Sequence, residues 1–186
     1  MTPAPIVART SSAKETRGLA AALATVLRPG DLILLVGDLG TGKTTFSQGL
    51  AAGLGVTDPV TSPTFTLVRA YGCHASADQG AIRTLLHADL YRLDRLQDVV
   101  DLGIGEMVED DSVAVIEWGD VAGSLFGHEV LTVRLSADVP ALDADVPALD
   151  ADVTVVDEVR TITVEPDGSW WERSAALADA LRPWKA

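Results

Sequence analysis

A glycine-rich segment directly behind an aliphatic run constrains this chain more than any other feature. Residues 34–46 read L-L-V-G-D-L-G-T-G-K-T-T-F and contain the pattern G-x-x-x-x-G-K-T from Gly37 to Thr44. Lys43 is one of only three lysines in 186 residues, so it does not belong to a generally lysine-rich surface. The pattern predicts a loop whose backbone binds phosphate groups.

The segments on either side of the loop have the form that such a loop requires. Residues 31–36 read D-L-I-L-L-V, a short apolar run typical of a strand buried on both faces. Residues 44–54 carry apolar side chains at a helical spacing of four. A strand that leads through glycines into a helix lets backbone N–H groups and the positive helix N-terminus surround an anion.

The pattern assigns roles to individual loop residues. Lys43 is expected to reach the β- and γ-phosphates of a nucleoside triphosphate, and the Thr44 hydroxyl is expected to bind Mg²⁺. The predicted nucleotide-binding residues of the loop are Gly37, Asp38, Leu39, Gly40, Thr41, Gly42, Lys43, Thr44 and Thr45.

The composition is that of a soluble globular chain, with 47% hydrophobic and 22% charged residues. No apolar run approaches the ~20 residues that span a bilayer, and the N-terminal residues lack the apolar segment of a secretory signal. Cys73 is the only cysteine, which favours a reducing compartment, and three scattered histidines give no zinc-binding spacing. We therefore expect one domain over residues 1–186 in the cytoplasm.

The net charge of −13 excludes a protein that coats nucleic acid by neutralising phosphates, because such binding needs clustered basic residues. Part of this charge is local. The segment D-V-P-A-L-D-A occurs at 138–144 and again at 145–151, and no basic residue lies between Asp138 and Glu158. A proline in each repeat rules out a continuous helix. We interpret residues 137–153 as an acidic, mobile insertion in a hairpin loop.

The remaining pattern predicts an α/β fold. We expect a single P-loop NTPase-like domain with a mostly parallel central sheet flanked by helices and a C-terminal antiparallel hairpin. Predicted helices cover residues 12–27, 44–54, 93–102 and 170–181, and predicted strands cover residues 31–36, 65–71, 82–89, 113–117, 131–135 and 159–164.

Two carboxylates end candidate central strands. Asp89 follows L-L-H-A and Glu117 follows V-A-V-I, and a Mg²⁺-nucleotide site usually has an acid at the end of a strand beside the loop. We predict both acids at the metal site, the alternative for each being an ordinary solvated strand end. Trp118 is expected either to line the nucleotide pocket or to be a buried core aromatic. His87 is interpreted as a packed, hydrogen-bonded histidine rather than a general base.

Five segments in this order resemble one known family. They are G-D-L-G-T-G-K-T-T-F at 37–46, V-T-S-P-T-F-T-L-V at 60–68, H-A-D-L-Y-R-L at 87–93, D-L-G-I-G-E-M at 101–107 and V-A-V-I-E-W-G-D at 113–120. Together they resemble the TsaE family, the bacterial ATPase subunit of tRNA threonylcarbamoyladenosine biosynthesis. The resemblance covers about Ser12 to Trp118 and continues more weakly to Arg160. The D-V-P-A-L-D-A insertion is not part of the family pattern.

The resemblance implies a small ATPase that uses ATP and Mg²⁺ and works with two partner proteins that transfer threonylcarbamoyl to an adenosine of tRNA. We expect slow turnover by the chain alone, because nothing in the sequence guarantees a well-placed arginine finger. The acidic net charge indicates that tRNA would be reached only through the partners. The implied metal ligands are Thr44, Glu117 and Asp89. The implied catalytic residues are Lys43, Asp89, Glu117 and Thr64, the last in a switch-like Ser62-Pro63-Thr64 segment near the γ-phosphate. Thr16 and Arg160 are the implied adenine contacts.

Other functions share the phosphate loop. A small-molecule kinase of the P-loop class usually brings a lid with several arginines, and here only Arg92 and Arg95 lie close in sequence to a site acid. A GTPase of the N-K-x-D type is disfavoured because the chain contains no asparagine. A non-catalytic adaptor gated by nucleotide differs from a slow ATPase only in turnover, so it stays open.

Overall fold

The computed structural model describes residues 3–63, 66–74, 82–93, 96–108, 111–120, 123, 125–127, 129–137 and 159–186. Thr64 and residues 138–153 of the predicted insertion lie outside the described residues. Among the helices of the described part, none is long and apolar enough to cross a membrane.

The described residues form seven strands and five α-helices. The strands are β1 (Ile6–Thr10), β2 (Leu32–Val36), β3 (Val68–Gly72), β4 (Thr84–Asp89), β5 (Ser112–Glu117), β6 (Val130–Ala137) and β7 (Arg160–Pro166). The α-helices are α1 (Ala13–Ala24), α2 (Lys43–Gly53), α3 (Leu96–Asp101), α4 (Ile104–Met107) and α5 (Ser174–Ala180). Short 3₁₀ helices at Gly168–Arg173 and Arg182–Trp184 flank α5.

These strands form one sheet in the order β1-β7-β6-β2-β5-β4-β3. The four central strands, β6, β2, β5 and β4, run parallel to one another. The outer strands β3 and β7 pair antiparallel to their inner neighbours, and β1 pairs antiparallel to β7. This arrangement confirms the predicted α/β class, the mostly parallel centre and the C-terminal antiparallel hairpin.

The central position of β2 explains its continuous apolar sequence. Ile33 and Leu35 belong to a core cluster that also contains Phe46 and Leu50 of α2. Leu34 points into a second cluster on the opposite face of the sheet, together with Ile116 of β5. A strand that contributes to both cores has no polar face, which is the pattern expected of a buried parallel strand.

Helix α1 begins where the sequence predicts, with Ser12 as the N-cap residue and a partial capping box. The Ser12 hydroxyl accepts a hydrogen bond from the Glu15 N–H at 3.2 Å. The Glu15 carboxylate, however, accepts from the backbone N–H and the hydroxyl of Ser11, at 2.7 and 2.9 Å, rather than from Ser12. These two hydrogen bonds lower the pKa of Glu15, and the backbone bond has the larger effect.

The structure departs from the sequence prediction at several element boundaries. Helix α1 ends at Ala24 rather than at residue 27. The predicted helix over residues 170–181 is divided into a 3₁₀ helix and α5. Strand β1 and the short helix α4 were not predicted. Pairing of Ala137 with Arg160 confirms the hairpin that brackets the repeat.

A buried ion pair joins the C-terminal part of the chain to the start of β2. Two Arg173 guanidinium nitrogens donate to the two Asp31 carboxylate oxygens at 2.6 and 2.7 Å. The same guanidinium donates to the Val26 carbonyl at 3.1 Å and lies 3.8 Å from the centroid of the Trp170 ring. Asp31 therefore anchors the segment that precedes α5 at the amino end of β2, opposite the glycine loop.

Candidate nucleotide-binding site

The glycine loop connects the carboxyl end of β2 to the N-terminus of α2, as predicted. Gly37, Gly40 and Gly42 have φ angles of 151°, 83° and 101°, which residues with a Cβ atom rarely adopt. A Cβ atom on Gly37 would lie 2.2 Å from the carbonyl oxygen of Leu135 in β6. Glycine at position 37 therefore allows the loop backbone to pass directly beside the neighbouring strand.

The Lys43 ammonium is held inside the loop that carries it. Its Nζ donates to the carbonyl oxygens of Gly37 and Asp38 at 2.6 and 2.8 Å. Nζ also lies 3.8 Å from the centroid of the Trp118 ring, which is a cation–π contact. Burial lowers the pKa of Lys43, and the surrounding carboxylates, led by Glu117, oppose that shift.

Glu117 reaches the loop because β5 is the parallel neighbour of β2, with Leu35 and Glu117 in register. The Thr44 hydroxyl, in the first turn of α2, donates to Oε2 of Glu117 at 3.0 Å. The Ser47 hydroxyl, one turn further along α2, lies 3.4 Å from Oε1. Glu117 is only 3% exposed, so its side-chain hydrogen bonds within the protein hold the carboxylate in place of water.

Asp89 lies beside Glu117, because these residues pair at the ends of β4 and β5. The hydrogen-bond partners of the two carboxylates differ. Oδ2 of Asp89 accepts from the Ser62 hydroxyl at 2.5 Å, and Oδ1 accepts from the backbone N–H of Tyr91 at 3.1 Å. Asp89 thus connects the strand end to the segment that precedes Thr64, whereas Glu117 connects it to α2.

His87 is fully buried in β4, and its Nε2 lies 2.8 Å from Oε1 of Glu117. This confirms the interpretation of His87 as a packed, hydrogen-bonded histidine.

A cleft of about 420 Å³ opens over these groups. Its lining includes predicted site residues from the loop and from both strand ends, namely Leu39, Gly40, Gly42, Lys43, Thr44, Thr45, Asp89, Glu117 and Trp118. Among the described residues, Ser62 and Tyr91 also line it. The Tyr91 and Trp118 rings lie 4.9 Å apart between centroids, so they form an aromatic wall. Tyr91 was not predicted, although its place two residues after Asp89 could have indicated it.

Other predicted residues stabilise the loop without lining the cleft. Gly37 and Asp38 contribute the carbonyl groups that hold Lys43. The Thr41 hydroxyl donates to the Asp38 carbonyl at 2.9 Å. Nε of Arg160, the first residue of β7, donates to the Thr41 carbonyl at 3.1 Å. Arg160 therefore contacts the loop backbone.

Thr16 lies in a different environment. Its side chain is fully buried, and its hydroxyl lies 2.9 Å from the Thr10 hydroxyl and donates to the Ser12 carbonyl at 3.2 Å. It is not among the residues that line the cleft. Thr64 lies outside the described residues. Adenine contacts by Thr16 and Arg160 and a catalytic role for Thr64 stay predictions.

The oxygen donors at this site fit a small, hard cation whose coordination is completed by a bound nucleotide. Within the part of the chain that the structure describes, no three His, Cys, Asp or Glu side chains gather into a metal-binding group. Mg²⁺ does not need such a group, because it is normally bound by one or two carboxylates together with substrate phosphates and water. The Thr44 hydroxyl and the Glu117 carboxylate supply oxygen ligands of this kind beside the phosphate loop.

Comparisons with known proteins agree on one family. The family model for "Threonylcarbamoyl adenosine biosynthesis protein TsaE" matches residues 10–141. The chain is 38% identical over 156 residues to the tRNA threonylcarbamoyladenosine biosynthesis protein TsaE of Streptomyces coelicolor, an alignment that covers 83% of this chain and 93% of that protein. It is 40% identical over 124 residues to the protein of the same name in Treponema pallidum, covering 67% of this chain and 86% of that protein.

A solved structure is similar along nearly the whole chain. The crystal structure of Bacillus subtilis YdiB matches with a TM-score of 0.67 and 29% sequence identity, and the match covers 98% of this chain and 97% of that one. The family model covers well over half of the residues, and the phosphate loop and both strand-end acids lie within the matched range. This chain belongs to the TsaE family.

Proposed function

We propose that this protein binds ATP with Mg²⁺ and hydrolyses it slowly, in support of threonylcarbamoyl transfer to adenosine in tRNA by partner proteins. Proteins of the TsaE family take part in tRNA threonylcarbamoyladenosine biosynthesis.

The hydrogen bond between Thr44 and Glu117 carries the proposal. The Thr44 hydroxyl, at the start of α2 and directly after Lys43 in the sequence, lies 3.0 Å from the Glu117 carboxylate at the end of β5. A purely structural glycine turn has no need of a buried carboxylate at that point, whereas a Mg²⁺-nucleotide site needs a hydroxyl and an acid there. Bound Mg²⁺ would neutralise charge on the phosphate oxygens, and Thr44 and Glu117 would hold it.

The other residues of the cleft have complementary roles in the proposal. The loop N–H groups bind phosphate oxygens, and Lys43 exchanges its carbonyl partners for the γ-phosphate. Asp89 lies beside Glu117 but faces Ser62, so it suits the orientation of attacking water. The Ser62–Asp89 contact also supports a position near the γ-phosphate for the segment that leads to Thr64.

Slow turnover by the isolated chain follows from the charges in the cleft. Among the described residues that line it, none is an arginine, and Lys43 is the only cation. In related phosphate-loop systems an arginine supplied in trans accelerates hydrolysis by ~10³–10⁵. We therefore propose that partner proteins complete the site. They would also bring the tRNA, because a chain of net charge −13 is poorly suited to bind it directly.

Two alternatives remain. A small-molecule kinase would use the same loop, but the absence of arginines from the described cleft lining disfavours it. A non-catalytic adaptor would bind nucleotide with the same residues and would differ only in turnover.

Phosphate release from Mg²⁺-ATP tests the proposal, measured for the chain alone and with the two partner proteins and tRNA. We expect slow release alone and faster release with the partners. Lys43→Ala should abolish it, because the backbone alone cannot neutralise the γ-phosphate charge. Lys14→Ala is the matched control, since Lys14 is exposed on α1 and does not line the cleft.

Each alternative has its own result. Strong turnover by the chain alone that partners do not change would favour a self-sufficient enzyme such as a kinase. Tight ATP binding without turnover under any condition would favour the adaptor. Wild-type turnover by Lys43→Ala would show that the loop does not bind the phosphates.

A further inference from the structure

The two carboxylate oxygens of Glu117 have different surroundings. Oε2 accepts from the Thr44 hydroxyl at the phosphate loop. Oε1 lies 2.8 Å from Nε2 of His87 and 3.4 Å from the Ser47 hydroxyl, and neither of these residues is among those that line the cleft. A carboxylate that is bound on both sides cannot rotate freely about its terminal bond, so only Oε2 faces the predicted metal position.

His87 is placed to act on Glu117 and on no substrate. It lies in the middle of β4, where it pairs with Val115 of β5, and its side chain is 0% exposed. It is not among the residues that line the cleft. His87 can therefore affect a bound nucleotide or metal only through its contact with Glu117.

The ring nitrogens indicate which tautomer makes this contact. Nδ1 is buried and has no hydrogen-bond partner among the residues that the structure describes. A proton on Nδ1 would leave two acceptors, Nε2 and the Glu117 carboxylate, facing each other at 2.8 Å. With the proton on Nε2, the ring donates to the Glu117 carboxylate, and the contact is a hydrogen bond.

We infer that His87 is a positioning residue, which holds Oε1 of Glu117 through an Nε2–H donor so that Oε2 is presented to Mg²⁺. This inference rests on the proposed function, because it assigns His87 to the same metal site. Hydrogen-bond partners of metal-binding side chains fix ligand orientation, and their loss typically reduces metal affinity by ~10–100-fold. A histidine that only filled space in β4 would have no such effect.

A pair of amide substitutions separates the two roles. The side-chain nitrogen of glutamine can reach the place of Nε2, whereas that of asparagine reaches only the place of Nδ1. His87→Gln therefore keeps a donor for Glu117, and His87→Asn removes it while keeping a polar amide. Leu85→Val is the packing control, because Leu85 is fully buried two residues earlier in the same strand and does not contact the cleft.

The readout is ATP affinity measured in Mg²⁺ and in EDTA, with the free energy of unfolding measured for each variant without nucleotide. The ratio of the two dissociation constants reports the gain in affinity that the metal provides. We expect His87→Asn to reduce that gain by about tenfold or more, with little change of affinity in EDTA. We expect His87→Gln to stay within about threefold of wild type and Leu85→Val to leave the gain unchanged.

Several results would overturn the inference. One is an unchanged gain in His87→Asn, and another is an equal loss of affinity in Mg²⁺ and in EDTA, which a merely structural role would cause. If His87→Asn does not fold, His87→Leu provides the donor-free variant for the same comparison. A wild-type protein whose ATP affinity does not depend on Mg²⁺ would overturn the proposed function itself, which distinguishes that failure from a failure of His87 alone.

Discussion

Asp89 and Glu117 look equivalent in the sequence, since each ends a buried parallel strand. Their hydrogen-bond partners in the structure differ. Glu117 is bound to the first turn of α2 through Thr44. Asp89 is bound to Ser62 and to the backbone of Tyr91, away from α2. A carboxylate that holds Mg²⁺ contributes to the ground state and to the transition state, whereas one that orients water contributes mainly to the transition state.

We predict that Glu117→Gln weakens Mg²⁺-dependent ATP binding, because an amide is a poorer Mg²⁺ ligand than a carboxylate. We predict that Asp89→Asn retains more of this binding but loses hydrolysis. The measurements are ATP affinity with and without Mg²⁺, followed by Trp118 fluorescence, and single-turnover hydrolysis of each variant. Loss of affinity in Asp89→Asn with normal binding by Glu117→Gln would reverse the two roles.

At the scale of elements, the glycine loop depends on its approach to β6 as much as on its sequence. We predict that Gly37→Ala lowers the free energy of unfolding by more than Gly40→Ala. Both residues have positive φ, so each substitution adds backbone strain of about 1–3 kcal/mol. At Gly37 the new methyl group would also meet the Leu135 carbonyl at 2.2 Å, whereas at Gly40 it would meet no described atom within 4 Å. Urea unfolding of the two variants makes the comparison, and equal losses would contradict it.

The hairpin of β6 and β7 predicts the outcome of removing the acidic repeat. Ala137 and Arg160 are paired, so the two ends of the connection are already fixed as neighbours. Excision of Asp138–Ala151 would leave Asp152–Val159 to connect them, and a shorter connection of this kind costs slightly less closure entropy. We expect a nearly unchanged melting temperature and unchanged ATP turnover. A large fall in melting temperature would instead show that the repeat packs on the rest of the protein.

Local patterns predicted the centre of this molecule better than its edges. The loop, β2, β5 and α2 were predictable because a buried parallel strand and an amphipathic helix each have a distinct periodicity. Strand β1 was not, because its five residues gain their order from pairing with β7, which begins at Arg160, far along the chain. The contacts of His87 with Glu117 and of Arg160 with Thr41 were likewise unpredictable, since they depend on strand register rather than on sequence spacing.

At the scale of the whole molecule, the Asp31–Arg173 pair connects the sheet to the C-terminal helical segment. We predict that Arg173→Met lowers the free energy of unfolding by about 3–5 kcal/mol, because it leaves the Asp31 carboxylate buried without its cation. Arg182→Met is the matched control. Its ion pair with Asp179 is 75% and 70% exposed, and such pairs contribute only about 0–1 kcal/mol.

Urea unfolding measures both variants, and ATP affinity measures whether the effect reaches the cleft. Asp31 precedes the first residue of β2, and the loop follows its last residue, so about 16 Å of strand separates them. We therefore expect ATP affinity of folded Arg173→Met to match that of wild type. Similar stability of the Arg173→Met and Arg182→Met variants would show that the buried pair is not a major anchor.

The contacts of Lys43 have a kinetic consequence. Two carbonyl oxygens and the Trp118 ring already contact its ammonium group, so under the proposed function a γ-phosphate would have to displace them. Association with ATP would then involve two events, capture by the loop and exchange of partners by the lysine. The indole changes its neighbour only in the second event. In rapid mixing, the rate of change of Trp118 emission should therefore reach a plateau as ATP concentration rises, and that plateau is the speed at which Lys43 leaves the ring.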